Sequence, residues 1–201
     1  MSLFYSFSRQ SLRLLFTLLS RHKSYLPEEG IYPGGAIIAA NHASHFDPPL
    51  IAISWPEPIH FLARKSLFDV PLLRPVITRL NAHPLGGKHD LSSLKLACRL
   101  LQEGKKILVF PEGTRSTDGE ISEFKNGISL LAKRSGCPVI PTYIHGSFDL
   151  WPRSRALPRL CGKRTACVFG KPIWFQPENE ENQELFADRI KQEIELLREK
   201  Y

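Results

Sequence analysis

Short apolar runs alternate with helix-like segments along this chain, and this alternation is the feature that most constrains its fold. Strands are predicted, from the length and composition of the apolar runs, at residues 37–40, 59–63, 106–110, 139–144 and 165–169. Helices are predicted over residues 48–54, 91–103 and 128–134, and a broken helix over residues 70–80. Strands that alternate with helices are typical of α/β proteins. We therefore predict a single α/β domain, residues 1–201, with a mixed, mostly parallel central sheet and helices on both faces.

Both ends of the chain are predicted to be helical. Residues 178–200 carry an apolar stripe at helical spacing, formed by Phe186, Ile190, Ile194 and Leu197. Residues 1–24 form an amphipathic segment in which leucines and phenylalanines lie among basic residues such as Arg9 and Arg13. This segment can lie on anionic lipid or pack against its own domain, and the pattern alone does not decide between these. Its apolar stretch is shorter than the roughly 20 residues of a bilayer span.

Charge is unevenly distributed along the chain and indicates an anionic partner. The net charge is +7 at pH 7, although the segment from Glu178 onward holds eight acids and four bases. The rest of the chain holds twelve acids and twenty-three bases, a net charge of +11. Such a basic body fits nucleic acid, anionic lipid or a phosphorylated substrate. We expect no nucleic acid partner, because the chain has no base-reading motif and no interleaved set of stacking aromatics.

A histidine and an aspartate lie five residues apart where the strand at 37–40 meets the next helix. The segment reads Asn41-His42-Ala43-Ser44-His45-Phe46-Asp47. On a continuous helix these side chains would lie about 140° apart, whereas a loop that curls back lets Asp47 reach His42. A carboxylate that holds an imidazole fixes its tautomer, so His42 is a candidate general base. The alternatives are that Asp47 only caps the helix and that backbone groups satisfy His42.

A second polar cluster follows the strand at 106–110. It reads Phe110-Pro111-Glu112-Gly113-Thr114-Arg115-Ser116, and α/β proteins bind ligands at the carboxyl ends of their strands. Gly113 permits unusual dihedral angles, and Arg115 offers phosphate a planar fork with the Thr114 and Ser116 hydroxyls beside it. The cluster lacks the lysine and glycine spacing of a P-loop. The alternative is a polar turn with a surface ion pair between Glu112 and Arg115.

Together the two segments resemble the glycerolipid acyltransferase family, and most closely its 1-acylglycerol-3-phosphate acyltransferases of bacterial type. The resemblance covers residues 35–172 and includes the apolar block Val139-Ile140-Pro141. It implies that His42 is the general base on the free hydroxyl of lysophosphatidic acid and that Asp47 orients it. It also implies that the acceptor is bound by Asn41, Glu112, Gly113, Thr114, Arg115, Ser116 and Lys88. The implied donor is a fatty acyl thioester on coenzyme A or acyl carrier protein, with no cofactor or metal.

The chain departs from the family pattern between the two segments. The family usually has an aromatic-Ile-x-Arg block there, and in the corresponding residues 82–88 Gly87 stands where the arginine should fall. Lys88 or Arg64 can supply the missing positive charge. Glycerol 3-phosphate or a lysophospholipid is therefore an alternative acceptor.

A metal-dependent hydrolase is an alternative of a different class. His42, His45 and Asp47 are separated by two to five positions, as zinc ligands can be, and His83 or His145 could complete such a set. The sequence offers no second clear cluster of ligands, which argues against this interpretation.

Residues 148–164 form a basic stretch that contains Trp151 and Arg153. Because the implied acceptor is a lipid, we predict that this stretch and the N-terminal segment meet an anionic membrane, on the cytoplasmic face and as a peripheral attachment. The alternative for the stretch is a solvated loop. The four cysteines have neither paired nor zinc-like spacing, which predicts buried thiols in a reducing compartment.

Overall fold

A seven-stranded sheet forms the centre of the described protein. The computed structural model describes residues 3–86, 91–159, 161–179 and 181–201. Its strands are β1 (Lys23–Tyr25), β2 (Ala36–Ala40), β3 (Ile59–Arg64), β4 (Ala82–Leu85), β5 (Lys106–Val109), β6 (Val139–His145) and β7 (Ala166–Phe169). Their spatial order is β1-β7-β6-β2-β5-β3-β4. All neighbours run parallel except β6 and β7, which are antiparallel. The mixed, mostly parallel sheet is confirmed.

Helices cover both faces of this sheet, as predicted. They are α1 (Leu3–Ser20), α2 (Asp47–Ser54), α3 (Leu73–Arg79), α4 (Leu91–Gln102), α5 (Gly127–Ser135), α6 (Ser147–Leu150) and α7 (Gln183–Lys200). One apolar core joins the sheet to α1 and α2, and the other joins it to α4, α5 and α7. Successive residues of β2 alternate between the two cores, with Ile38 in the first and Ile37 in the second.

The central position of β2 determines where the candidate functional segments lie. All five of its residues are buried, and it pairs with β5 on one side and β6 on the other. Ala39 lies opposite Val109, so β2 and β5 end at nearly the same level of the sheet. Both therefore deliver their following loops to one edge, which brings the segment at 41–47 beside the segment at 110–116.

The outer parts of the sheet differ from the prediction. The sequence pattern does not predict β1 and β4, which are the two edge strands and have at most one buried residue each. The broken helix at 70–80 is shorter than predicted, because α3 begins at Leu73. The predicted cap of α4, Asp90, lies outside the described residues. Of the four cysteines, predicted to be buried, only Cys167 is buried and Cys161 is exposed.

Helix α1 packs against the domain while leaving much apolar surface uncovered. Arg9 donates hydrogen bonds to the carbonyls of Trp55 and Pro56, at 2.7 and 2.8 Å, and Phe16 lies in the first core. Packing against its own domain is therefore observed for this segment. Within the described ranges, no helix is both long enough and apolar enough to cross a membrane.

A buried histidine, His22, lies just after α1 and joins three elements. Its Nδ1 lies 2.9 Å from the Thr165 hydroxyl and its Nε2 lies 2.8 Å from the Ser54 hydroxyl. Ser54 donates its own proton to the Leu50 carbonyl, so it accepts from Nε2–H, and Nδ1 accepts from Thr165. Burial, and then the nearby charge of Arg13, lowers the pKa of His22 to about 4. The network therefore fits a neutral ring.

This histidine should make folding stability depend on pH. The unfolded chain binds a proton near pH 6.5 and the folded chain only near pH 4, so stability is present above pH 6.5 and is lost as the pH falls through this window. The unfolding free energy that His22 contributes to this loss is about 3 kcal/mol, because a change of one in pKa corresponds to about 1.4 kcal/mol. We expect His22→Gln to weaken this dependence, measured as the free energy of unfolding in urea at pH 7 and pH 4.5. His60, whose pKa is also lowered to about 4, should keep its own contribution. An unchanged difference between the two pH values would show that other groups cause it.

Candidate active site

The loops after β2 and β5 are joined directly by hydrogen bonds. The backbone N–H of His42 donates to Oε1 of Glu112 at 2.6 Å, and the backbone N–H of Ser116 donates to the His42 carbonyl at 2.7 Å. The two polar segments, about seventy residues apart in sequence, therefore form one site at the carboxyl edge of the sheet.

The His42 and Asp47 side chains meet at the centre of this site. Nδ1 of His42 lies 2.8 Å from Oδ2 of Asp47, the first residue of α2. The same carboxylate oxygen accepts the backbone N–H groups of Ala43 and Ser44, both at 2.7 Å. Asp47 is fully buried, whereas the His42 side chain is 18% exposed. Because Nδ1–H is held by Asp47, the accessible nitrogen Nε2 carries the lone pair.

The plane of the His42 ring is also fixed. The ring stacks on Phe110, with centroids 3.8 Å apart and planes 10° apart. A hydrogen bond in the plane and an aromatic ring against one face leave the imidazole little freedom. The His42 ring is therefore held in one orientation, as a candidate base must be.

Asn41, predicted to bind substrate, connects two strands in this structure. Its Oδ1 accepts the backbone N–H of Ile144 at 2.7 Å, and its Nδ2 donates to the carbonyl of the same residue at 3.2 Å. Asn41 is 4% exposed. The side chain thus holds the loop that starts with His42 against β6, and contact with substrate stays a prediction.

Glu112 has a similar bracing geometry. Besides the His42 backbone, its carboxylate accepts the N–H of Ser122 at 3.2 Å and the Ser122 hydroxyl at 2.7 Å. It is 3% exposed. The alternative interpretation, a surface ion pair with Arg115, is wrong, because Glu112 is buried and Arg115 donates to Nε2 of His45. Direct binding of the acceptor by Glu112 stays a prediction.

The remaining residues of the second segment shape a tight loop. Gly113 has a φ of +73°, in the left-handed region, and a Cβ there would lie 2.5 Å from Nζ of Lys125. Thr114 is exposed and open to a ligand. The Ser116 hydroxyl is engaged within the loop, donating to Asp118 at 2.8 Å and accepting from the Gly119 N–H at 2.9 Å.

Positive charge converges next to the His42–Asp47 pair. The pKa of Arg115 is lowered by burial and then by the charges of Arg153 and Arg64, while the charge of Asp47 raises it. Burial and Arg115 likewise lower the pKa of His45. A guanidinium flanked by further positive charge suits a phosphate group.

Of these residues, the sequence patterns single out Arg115 for phosphate and offer Arg64 as a replacement for the missing arginine, but they give Arg153 only a lipid-facing role and His45 only a metal-binding one. Arg153 belongs to the basic stretch that was expected to face lipid. In that stretch Trp151 packs against His45 and Phe46, with ring centroids 4.6 and 5.0 Å apart. Gly87 and Lys88 belong to residues 82–88, where the family usually has its aromatic-Ile-x-Arg block, and both lie outside the described residues.

The histidines do not converge as metal ligands would. His42 is held by Asp47, His45 accepts from Arg115, and His83 pairs with His60 at 2.9 Å. His145 lies against the ring of Tyr201. Across residues 3–86, 91–159, 161–179 and 181–201, no three His, Cys, Asp or Glu side chains are grouped to hold a metal ion. The geometry does not support the hydrolase interpretation.

Comparison with known proteins assigns the fold and this site to a family. A family model described as "Acyltransferase" matches residues 20–145, which include both loops of the site. The chain belongs to the Acyltransferase family. It is similar to the 1-acyl-sn-glycerol-3-phosphate acyltransferase of Bacillus subtilis, at 28% identity over 71% of this chain and 71% of the relative.

The chain also resembles two proteins of different length. The chloroplastic 1-acyl-sn-glycerol-3-phosphate acyltransferase BAT2 of Brassica napus is 28% identical over 58% of this chain, and the match spans only 34% of that relative. The crystal structure of the 1-acyl-sn-glycerophosphate (LPA) acyltransferase PlsC from Thermotoga maritima superposes with a TM-score of 0.79 at 26% identity. The superposition covers 97% of this chain and 80% of that one.

Proposed function

We propose that this acyltransferase moves a fatty acyl group from an acyl thioester to the free hydroxyl of lysophosphatidic acid, giving phosphatidic acid. The observation that carries the proposal is an oriented His42–Asp47 pair on the loop whose His45 accepts from Arg115. The charges of Arg153 and Arg64 also act on Arg115. The base and the anion site lie together, as an alcohol that carries a phosphate requires. The names of the similar proteins support the same acceptor.

In the proposed reaction, His42 acts first on the acceptor. Its Nε2 takes the hydroxyl proton as the acceptor oxygen attacks the thioester carbonyl carbon, and Asp47 stabilises the imidazolium that results. The tetrahedral intermediate then collapses, the C–S bond breaks, and the imidazolium returns its proton to the leaving thiolate. Since a thioester is already activated, the reaction needs no cofactor.

The other predicted site residues have one of two proposed roles: some contact the acceptor, and the others hold the loops of the site in place. Arg115, with Arg64 and Arg153, faces the acceptor phosphate, and the exposed hydroxyl of Thr114 and the backbone at Gly113 lie on the same loop. Asn41, Glu112 and Ser116 support this arrangement by holding the loops in place. A contact from Lys88 remains part of the proposal.

The decisive test is a transfer assay on the purified protein. Radiolabelled acyl-coenzyme A and acyl-acyl carrier protein are each offered with lysophosphatidic acid, glycerol 3-phosphate or lysophosphatidylcholine. We expect the highest kcat/KM with lysophosphatidic acid. A higher kcat/KM with glycerol 3-phosphate or lysophosphatidylcholine would show that the acceptor is a different one. No transfer to any of the three acceptors would refute the proposal.

The guanidinium cluster gives this proposal a sharper prediction. Arg115→Ala should raise KM for lysophosphatidic acid by about 10- to 100-fold, because a charge-assisted hydrogen bond contributes about 1.5–3 kcal/mol. Monoacylglycerol, which lacks the phosphate, should be acylated at the same low rate by the wild type and by Arg115→Ala. Arg134→Ala, an exposed arginine in the last turn of α5, serves as the matched control. Equal KM values for wild type and Arg115→Ala would remove this arginine from the acceptor site.

We further propose that the protein attaches to the cytoplasmic face of an anionic membrane through α1. Phe7, Leu14 and Leu18 of this helix are 72%, 61% and 71% exposed. Exposed apolar side chains in a group of this size fit a lipid interface. Arg79 of α3 lies over the ring of Phe4, so α3 extends the same side of the molecule.

The membrane proposal predicts a loss of vesicle binding. Replacing Phe7, Leu14 and Leu18 together by Ser should lower co-sedimentation with phosphatidylglycerol vesicles at least about 10-fold, since each burial is worth about 1.5–3 kcal/mol. Leu185→Ser with Leu196→Ser is the matched control, because these exposed leucines lie on α7 and on the opposite face of the sheet. Similar losses in both variants would contradict a specific role for α1.

A further inference from the structure

A pocket of about 800 Å³ lies beside the carboxyl end of β6 and is lined by none of the residues to which a role in the reaction is assigned above. It is formed by β1, β6 and the C-terminal end of α7, on the face of the sheet that α7 covers. Four cations line it: Arg21, Lys23, Arg164 and Arg198. Only one of the four, Arg198, has an ion pair among the described residues, with Glu120. The pocket therefore presents three cations to a ligand.

The rest of the lining is aromatic. The ring of Tyr201 lies 4.8 Å from that of His145 and 5.5 Å from that of Tyr25, measured between centroids. Tyr143 continues this surface, 6.2 Å from His145. Burial lowers the pKa of His145, so its ring is uncharged at neutral pH and suits stacking. A concave aromatic wall beside unpaired cations fits a planar ring that carries phosphate groups.

One of the pocket cations is held by an unusual backbone conformation. Arg21 has a φ of +46°, which costs free energy in a residue that is not glycine. The turn is fixed on both sides, because His22 N–H donates to the Phe16 carbonyl and Thr165 N–H donates to the Ser20 carbonyl. With this turn, His22 enters the core and Arg21 lines the pocket. The hydrogen bonds of the neighbouring residues thus hold Arg21 in its strained conformation.

The pocket is linked to the candidate active site by two elements. Arg198 makes a two-point ion pair with Glu120, which lies on the loop that follows Arg115. Ile144, between the pocket residues Tyr143 and His145, holds Asn41, the residue before His42. Since neighbouring strands are about 4.8 Å apart, the pocket begins one strand away from the catalytic loop. This separation is shorter than an extended phosphopantetheine arm.

We propose that this pocket binds the phosphorylated adenosine end of an acyl-coenzyme A donor. The rings of Tyr201 and His145 contact the adenine, and Arg21, Lys23 and Arg164 face the phosphates. The inference depends on the proposed function, because it names the donor for the same reaction. An acidic carrier protein fits less well, since it would present a convex surface, whereas the aromatic rings lie within a concavity.

Shortened donors can test this assignment. Transfer to lysophosphatidic acid is measured with acyl-coenzyme A, with its dephospho form, which lacks the 3′-phosphate, and with acyl-phosphopantetheine, which lacks the whole nucleotide. Arg164→Ala and Tyr201→Ala should each raise KM for acyl-coenzyme A about 10-fold and leave KM for acyl-phosphopantetheine unchanged. Arg134→Ala is the control for a lost surface arginine. A binding titration with adenosine 3′,5′-bisphosphate should show weaker binding to both pocket variants.

The outcomes separate this inference from the proposed function. If the wild type transfers from acyl-coenzyme A and both pocket variants keep its KM, the inference is overturned while the function stands. If the variants are impaired only with acyl-acyl carrier protein, the pocket is part of a protein-docking surface and the nucleotide assignment fails. If the wild type transfers from no thioester, the proposed function fails, and the titration with the bisphosphate still decides whether the pocket binds a nucleotide.

Discussion

His42→Ala protein is expected to lose acyl transfer by about 10²- to 10⁴-fold while remaining folded. This range is the usual contribution of a positioned general base. The side chain makes one hydrogen bond, to Asp47, and stacks on Phe110 at the edge of the core. Asp47 would keep its two backbone partners, Ala43 and Ser44, so the loop should hold its shape. The measurements are kcat with lysophosphatidic acid and an acyl thioester, and the midpoint of thermal unfolding.

A matched variant separates loss of the base from loss of any histidine. His83→Gln removes an imidazole on β4, at the far edge of the sheet from β1, and should transfer at a rate close to that of the wild type. Turnover by His42→Ala within ten-fold of the wild type would show that another group takes the proton. Unfolding of His42→Ala at room temperature would instead mean that the ring is part of the scaffold.

Asp47→Asn is expected to lower kcat by about 10²-fold or more with only a modest loss of stability. The amide oxygen can take the place of Oδ2 and accept the same three hydrogen bonds, from His42, Ala43 and Ser44. The amide nitrogen then takes the position of Oδ1, which accepts no hydrogen bond from the described residues. The geometry is thus retained, and what disappears is the negative charge that stabilises the imidazolium.

Asp47→Ala provides the contrast. It leaves the N–H groups of Ala43 and Ser44 without their acceptor in a buried loop, at about 1–3 kcal/mol for each unsatisfied group. We therefore expect the unfolding free energy to fall by roughly 3 kcal/mol, well beyond the loss in Asp47→Asn, while kcat falls in both. The N-cap of α2 is Phe46, with no side-chain cap hydrogen bond, so the alternative that Asp47 only caps the helix is wrong. Wild-type kcat in Asp47→Asn would reduce Asp47 to a support of the Ala43–Ser44 backbone.

The interior strands were predictable because they are buried on both faces. The residues of β2 and Ile107 and Leu108 of β5 are buried and apolar, so each strand contributes an apolar run to the sequence. Lys106, which begins β5, is buried as well and pairs with Glu57. The edge strands carry no such signal. The three residues of β1 are exposed or half-buried, and β4 contains Pro84, so only pairing with β7 and β3 makes them strands.

The candidate site, too, was predictable only in part. The pairing of His42 with Asp47 is local, so five residues of spacing and a helix start were enough to predict it. The mutual electrostatic effect of Arg64, Arg115 and Arg153 is not local, because they come from the end of β3 and from the loops after β5 and α6. The bracing roles of Asn41 and Glu112 depend on partners 103 and 70 residues away, which one sequence cannot pair.

The tie between Glu112 and the His42 backbone has a consequence during synthesis of the chain. A nascent polypeptide that has left the ribosome only as far as α4 contains both His42 and Asp47, but it lacks β5 and β6, which flank β2. Contacts of such long sequence separation form late. Although the His42–Asp47 contact is local, the backbone ties of this loop to Glu112 and Ile144 should therefore form only after β5 and β6 have emerged.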